Sequence, residues 1–241
     1  MNNTRQIKAF IATMMLACAS AAAYAGFHSH TLHPAFAIAV LALAAATSRM
    51  RVKLPGINGN MSVNLPFLLT AIVNLSAVEA MAIGCAATVV QCWPRKGTAF
   101  KPEQMTFNLS MMGFATCMAS LVFHSHWLQN MGLGATVGLV LATVTLLLGQ
   151  TVPVSAIVAL SESQKPAPIW WSMAQLSFPY YVVSAGVTSM VISVSSHLGW
   201  ELALAVFPVM YGIHCSYRLY FSKVAENLRT EVRVRAASAG A

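Results

Sequence analysis

From residue 7 to residue 221 the chain is a succession of apolar stretches broken only by short polar connections. They run approximately 7–26, 34–48, 61–75, 77–93, 105–123, 131–160, 170–195 and 200–221. Most approach the roughly 20 residues that an α-helix needs to cross about 30 Å of hydrocarbon. Lipid offers the backbone no hydrogen-bond partner, so stretches of this kind satisfy their own N–H and C=O groups as helices. Composition agrees: 57% of the 241 residues are hydrophobic and 8% are charged, against about a quarter charged in a soluble domain. The expected fold is an all-α, polytopic integral membrane helix bundle of about eight segments. It forms a single transmembrane domain over residues 1–221, with a basic tail over 222–241.

The third and fourth stretches are short and abut at Ser76. They read either as two tilted helices or as one re-entrant hairpin, and both options return the chain to the side it left.

The distribution of basic residues orients the chain. With the N-terminus inside, the inner segments hold Arg5 and Lys8; Arg49, Arg51 and Lys53; Arg95, Lys96 and Lys101; Lys165; and Arg218, Lys223, Arg229, Arg233 and Arg235. These are all 14 Lys and Arg of the chain, and the outer connections hold none. Cytoplasmic loops carry an excess of Lys and Arg, so both ends are expected in the cytoplasm and the multi-pass chain in a bacterial cytoplasmic (inner) membrane. The net charge of +8 is thereby accounted for without a nucleic-acid partner. Ala23-Tyr24-Ala25 after an apolar run resembles a signal-peptidase site. The first stretch is nonetheless expected to be a retained helix, because residues 26–34 lead straight into the next span.

Absent residue types exclude whole chemistries. The sequence contains six Glu and no Asp, which removes aspartyl proteases, HD metal pairs, GGDEF cyclases and Walker B sites. It has no HExxH, GxxxxGK[ST] or GxSxG motif. No Lys lies mid-span for a retinal Schiff base, and there is no acidic ring or arginine ladder for a channel or voltage sensor. An enzyme is not expected, nor a cofactor. The five Cys lie in or beside apolar stretches without a CxxC pair, the usage of small buried hydrophobes.

Polar groups within hydrocarbon are candidates for function or for helix–helix bonding. The densest group lies between Lys53 and Pro66 (KLPGINGNMSVNLP), where two Pro and two Gly precede or interrupt helical periodicity. This segment is expected to be an irregular entry into the third span. Broken backbone at membrane depth is tolerated where it is buried or lines a cavity, so Ser62 and Asn64 are candidate ligand-binding residues. The alternative is that Asn60, Ser62 and Asn64 cap a helix start. Gln91 and Asn108, at similar depth, complete the candidate cavity, with Gln104 near them. Helix-packing hydrogen bonds are the competing account of these amides. Gln175 and the polar residues of the seventh span (Ser172, Ser177, Ser184, Thr188, Ser189, Ser193) are assigned to helix contacts. Pro153, Pro179 and Pro208 are expected to kink the last long helices.

Six of the seven His lie at the expected outer ends of spans, and two pairs read His-Ser-His. His28, His30, His124 and His126 are weak candidates for Zn²⁺ or Cu²⁺ ligands. The stronger expectation is no metal, His there suiting the interface as Trp127 and Trp200 do.

The stretch from Arg51 to Asn64 (RVKLPGINGNMSVN) is followed by Leu75-Ser76, Glu79, Gly84-Cys85-Ala86-Ala87-Thr88 and Val90-Gln91-Cys92. With Phe107-Asn108-Leu109-Ser110, this block resembles a bacterial multi-pass sensor region (MASE-like) that precedes GGDEF, HD-GYP or histidine-kinase output domains. The resemblance covers roughly residues 36–125. No output domain follows here, so it implies a stand-alone sensory domain acting through a partner. A weaker similarity is to the S components of energy-coupling-factor transporters, which contact their partner through small-xxx-small faces such as Ala17, Ala21 and Ala25. The expected function is a non-enzymatic sensory or ligand-binding membrane domain. The alternative is a small-molecule transporter or S-component-like permease subunit. The implied partners are the lipid bilayer and a cytoplasmic signalling or ATPase protein, with a homodimer as a further assembly.

Overall fold

The computed structural model describes residues 2–28, 34–48, 51–53, 60–62, 64–94, 100–130, 134–198, 212, 215 and 216. Seven of the eight expected stretches coincide with helices: α1 (Asn2–His28), α2 (Pro34–Ser48), α3 (Leu65–Asn74), α4 (Ala77–Cys92), α5 (Pro102–Phe123), α7 (Ala135–Glu162) and α8 (Pro166–Leu198). A five-residue helix, α6 (His126–Asn130), follows α5. The expected eighth stretch, 200–221, lies outside the described residues apart from three positions.

Four helices are long and apolar enough to cross a membrane: those of α1, α5 (with α6 continuing its run), α7 and α8. They mark the chain as a membrane protein. Large apolar side chains on them point outward, Leu16 and Met190 being 72% and 70% exposed, as a lipid-facing belt requires. Helices α2, α3 and α4 are apolar but shorter.

Sequence explains where most elements start. Pro34 and Pro166 open α2 and α8, Pro102 opens α5, and Pro66 stands in the first turn of α3. Proline at these positions sacrifices only an N–H that has no intrahelical partner. At the junction of α3 and α4, Ser76 and Glu79 form a reciprocal capping box. Ser76 Oγ accepts from the Glu79 N–H at 3.3 Å, and Glu79 Oε2 accepts from the Ser76 N–H at 3.1 Å. Helix α7 ends on Ser163 in the left-handed conformation (φ 55°, ψ 37°). Both α7 and α8 continue through their internal prolines, Pro153 and Pro179.

The expected irregular entry to α3 contains regular structure. Strands β1 (Arg51–Lys53) and β2 (Asn60–Ser62) pair antiparallel, with Arg51 opposite Ser62 and Lys53 opposite Asn60. The bundle is thus helical except for this short hairpin, among the described residues.

Packing fixes relative directions. Ile11 and Met14 of α1 pack with Phe107 and Met111 of α5, and Ala21 and Ala25 pack with Cys117; α1 and α5 therefore run parallel. On α7, Gly138 faces Phe123 and Gln150 reaches Met112, so α7 is antiparallel to α5. Trp170 Nε1 donates to Thr151 Oγ1 at 3.2 Å, turning α8 back along α7. Arg5, Lys8, Lys101 and Lys165 consequently share one end of the bundle, where Lys8 Nζ lies 3.7 Å from Glu103 Oε1. His28, His124 and His126 share the other. That exposed ion pair contributes little to stability.

Helix α3 sits at the centre. It packs against α2, α4, α5, α7 and α8, and Leu65 to Leu69, Ala71 and Ile72 are all buried. Its 10 residues make it about 15 Å long, half the thickness of a bilayer core. Gly84 of α4 allows this depth of packing, because a Cβ there would stand 2.7 Å from Thr116 Oγ1 and 3.4 Å from Leu68 Cδ1.

Candidate functional site

Several buried polar groups, from α8 and from the chain just before α3, lie around the first turn of α3. Asn64 precedes it in helical rather than extended conformation (φ −85°, ψ −3°), and its side chain makes no cap hydrogen bond. Its carbonyl accepts from the Leu68 N–H at 3.1 Å, and the residue is 5% exposed. Asn64 therefore stands at the helix start without capping it.

The Leu65 N–H goes instead to another helix. It donates to the phenolic oxygen of Tyr180, in α8, at 3.3 Å. The carbonyl of the next residue, Pro66, accepts from Thr188 Oγ1 at 3.3 Å, a hydroxyl that also donates to the Ser184 carbonyl at 2.9 Å. Tyr180, Ser184 and Thr188 lie at intervals of four, on one face of α8, and that face meets the start of α3. Ser184 is 1% exposed, and its Oγ is buried without a hydrogen bond. Tyr181 packs edge-on to Tyr180, with centroids 6.2 Å apart, and closes the cluster on its apolar side.

The other candidate amides are arranged differently. Asn108 Nδ2 donates to Cys92 Sγ at 3.4 Å, tying α5 to the end of α4. Gln91 is half-buried next to Cys92. Leu68 and Gly84 are level, so Asn64 lies one turn from that level and Cys92 about two. No hydrogen bond among the described residues joins Asn64 to Gln91 or Asn108. Ser62 ends β2, and its side chain lies outside the described residues. Gln104 is exposed at the start of α5.

The histidines make local contacts. His28 Nδ1 lies 2.9 Å from the Tyr24 carbonyl oxygen and its ring stacks on Tyr24 at 4.2 Å. His124 Nδ1 lies 3.0 Å from the Ser120 carbonyl oxygen. His rings commonly bond the last carbonyls of a helix in this way. His126 is exposed at the start of α6, and His30 lies outside the described residues. No three His, Cys, Asp or Glu among the described residues come together to hold a metal ion.

Cys18, Cys85 and Cys117 pack between helices. Cys117 Sγ donates to the Ala21 carbonyl at 3.5 Å and Cys85 Sγ to that of Leu109 at 3.9 Å. Cys18 and Cys85 fill the space left by Gly113, their sulfurs 2.9 and 3.0 Å from the position a Cβ would occupy.

Sequence reasoning assigned Ser184 and Thr188 to helix contacts, which holds for Thr188 but not for the Ser184 hydroxyl. Tyr180 is not among the residues the sequence singles out. The available signal was the four-residue spacing of the three residues, which distinguishes one face from the scattered Ser and Thr of the same span.

Comparison with protein-family models, with curated proteins and with solved structures finds no match to this chain.

Proposed function

We propose that this chain is a non-enzymatic sensory or ligand-binding domain of a bacterial cytoplasmic membrane, acting through a partner. The observation that carries this reading is the junction of α3 and α8. A half-length helix in the middle of the bundle is tied by its first residues to the last long described helix. A small molecule held at that junction changes the contacts of α8 directly, and α8 leads toward the basic tail. Interior polar groups of this kind in a membrane protein are by default functional candidates. The resemblance of residues 36–125 to MASE-like regions points the same way.

In this reading α3 and α4 form a re-entrant hairpin, which the length of α3 and the burial of seven of its 10 residues support. Residues 200–221 supply a further span. The end carrying Arg5, Lys8, Lys101 and Lys165 is cytoplasmic by the positive-inside rule.

A permease is the second reading, favoured by the half-length of α3: in many transporters broken helices direct their ends at the substrate. The specific feature of S components is less well matched. Ala21 and Ala25 are buried against Cys117 within this chain, so that face of α1 is not free for a partner.

The two readings separate experimentally. The full chain and a version lacking residues 222–241 are purified from native membranes. The sensor reading expects a cytoplasmic cyclase or kinase with the full chain alone; identical partners for both forms contradict it. Substrate accumulation in vesicles, lost in Asn64→Ala, would establish the permease instead.

A further inference from the structure

We infer that the first turn of α3, facing Ser184, is a binding site for the carboxylate group of a small organic acid. This rests on the ligand-binding reading above and adds the ligand's chemistry and its place.

Three independent observations converge on that turn. The first is electrostatic. Amides at a helix N-terminus carry partial positive charge and favour an anion, and the effect is larger where water is excluded. Leu65, Pro66 and Phe67 are all buried, so the end of α3 opens into protein and not into solvent. The second is Ser184. Its hydroxyl is buried without a hydrogen bond, whereas Tyr180 and Thr188, one turn to either side, both reach the start of α3. Serine in a helix ordinarily returns its hydroxyl to a carbonyl three or four residues back. Ser155 and Ser161 do so, and so do the neighbouring Thr188 and Thr151. Ser184 keeps its donor for something else. The third is Asn64, buried at the head of α3 with an amide that caps nothing.

The donors left for a ligand are the Ser184 hydroxyl, the Asn64 amide and the Phe67 N–H, since the Leu65 N–H goes to Tyr180, Pro66 has none and the Leu68 N–H goes to the Asn64 carbonyl; none of the described residues of the site is acidic. The other described acids are occupied or solvent-exposed: Glu79 completes the capping box at the opposite end of α3, and Glu103 and Glu162 are exposed. A cation is therefore disfavoured. The β1–β2 register places Arg51 opposite Ser62, two residues before Asn64, which brings a basic position to the approach of α3. Tyr181, next to Tyr180, and Phe67, in the first turn of α3, both belong to the apolar core, so the acid carries a short hydrocarbon body.

The test uses the full-length protein in nanodiscs, with straight-chain carboxylates from acetate to octanoate as probes. Each is compared with the amide and alcohol of the same length. Saturation-transfer NMR reads binding, and thermal unfolding reads the fold. The expected result is binding of at least one carboxylate, about tenfold or more weaker in Ser184→Ala, with the ligand-free melting temperature of that variant maintained. Ser184→Thr, which keeps the hydroxyl, should retain binding. Carboxylate binding that Ser184→Ala leaves unchanged would overturn the location. Equal binding of amide and carboxylate, lost in Ser184→Ala, would overturn the anion selectivity while leaving the ligand-binding reading intact. No binding by any probe would overturn the inference itself; the partner experiment above decides the broader reading separately.

Discussion

The phenolic oxygen of Tyr180 in α8 accepts the N–H of Leu65, the first residue of α3, at 3.3 Å across 115 residues of sequence. A helix normally meets its first N–H groups with its own N-cap side chain or with water. Here Asn64 does not cap and the turn is buried, so a different helix supplies the acceptor. Removing the hydroxyl leaves a buried N–H unpaired, which costs about 1–3 kcal/mol. Tyr180→Phe should therefore lower the unfolding temperature in detergent. An unchanged transition would show that the bond contributes nothing.

Glycine substitutions should split into two groups. Gly84→Ala places a methyl 2.7 Å from Thr116 Oγ1, and Gly149→Ala places one 2.8 Å from Ala115 Cβ. Overpacking of this kind typically costs about 1–3 kcal/mol. At Gly26 and Gly186 a Cβ meets nothing within 4 Å, so Ala there should be neutral or slightly stabilising, because Ala is the better helix former. Unfolding of the four variants in one detergent measures the split.

The turn between α3 and α4 depends on Ser76. Ser76→Ala removes the acceptor of the Glu79 N–H and should destabilise the protein by about 1 kcal/mol. Asn64→Ala, by contrast, removes no cap and should leave unfolding nearly unchanged. Equal losses at the two positions would contradict the capping geometry.

Orientation is open to labelling. His126 and Lys165 fall at opposite ends of the bundle. With the basic end in the cytoplasm, an impermeant maleimide should label His126→Cys in intact cells and Lys165→Cys only after permeabilisation. The native cysteines 18, 85, 92, 117 and 215 are buried or half-buried, and the unsubstituted chain supplies their background. Labelling of both sites from one side would contradict the antiparallel packing of α5, α7 and α8; exchange of the two results would invert the chain.

Seven of the helices were legible because lipid imposes one rule on the backbone. A stretch as apolar as 135–162 or 102–123 has no other way to satisfy its N–H and C=O groups. Pro34, Pro102 and Pro166 stand in the first turns of their helices, where proline loses no intrahelical bond, but Pro153 and Pro179 run inside helices, so proline alone does not mark a start. The capping box was also written in the sequence, as Ser76 followed three residues later by Glu79. The hairpin of β1 and β2 was less visible, being two three-residue strands among turn formers. The candidate site was half legible. Asn64 stands out as a polar residue in an apolar run, but the partners of the two residues after it, Leu65 and Pro66, come from α8, more than 110 residues away. Local periodicity cannot report that proximity. Depth alone groups Asn108 with Asn64, whereas the packing of α5 on α4 gives it Cys92 as its hydrogen-bond partner.

The coupling of α3 to α8 is most directly tested by deuterium exchange of the full chain in nanodiscs, comparing the unsubstituted protein with Tyr180→Phe. Buried central amides open only with large-scale unfolding, so α3 should exchange among the slowest segments. Tyr180→Phe should accelerate the first turn of α3 and residues 177–188 of α8 together. Fast exchange of α3 in the unsubstituted protein, or acceleration confined to α8, would contradict a central helix held by α8.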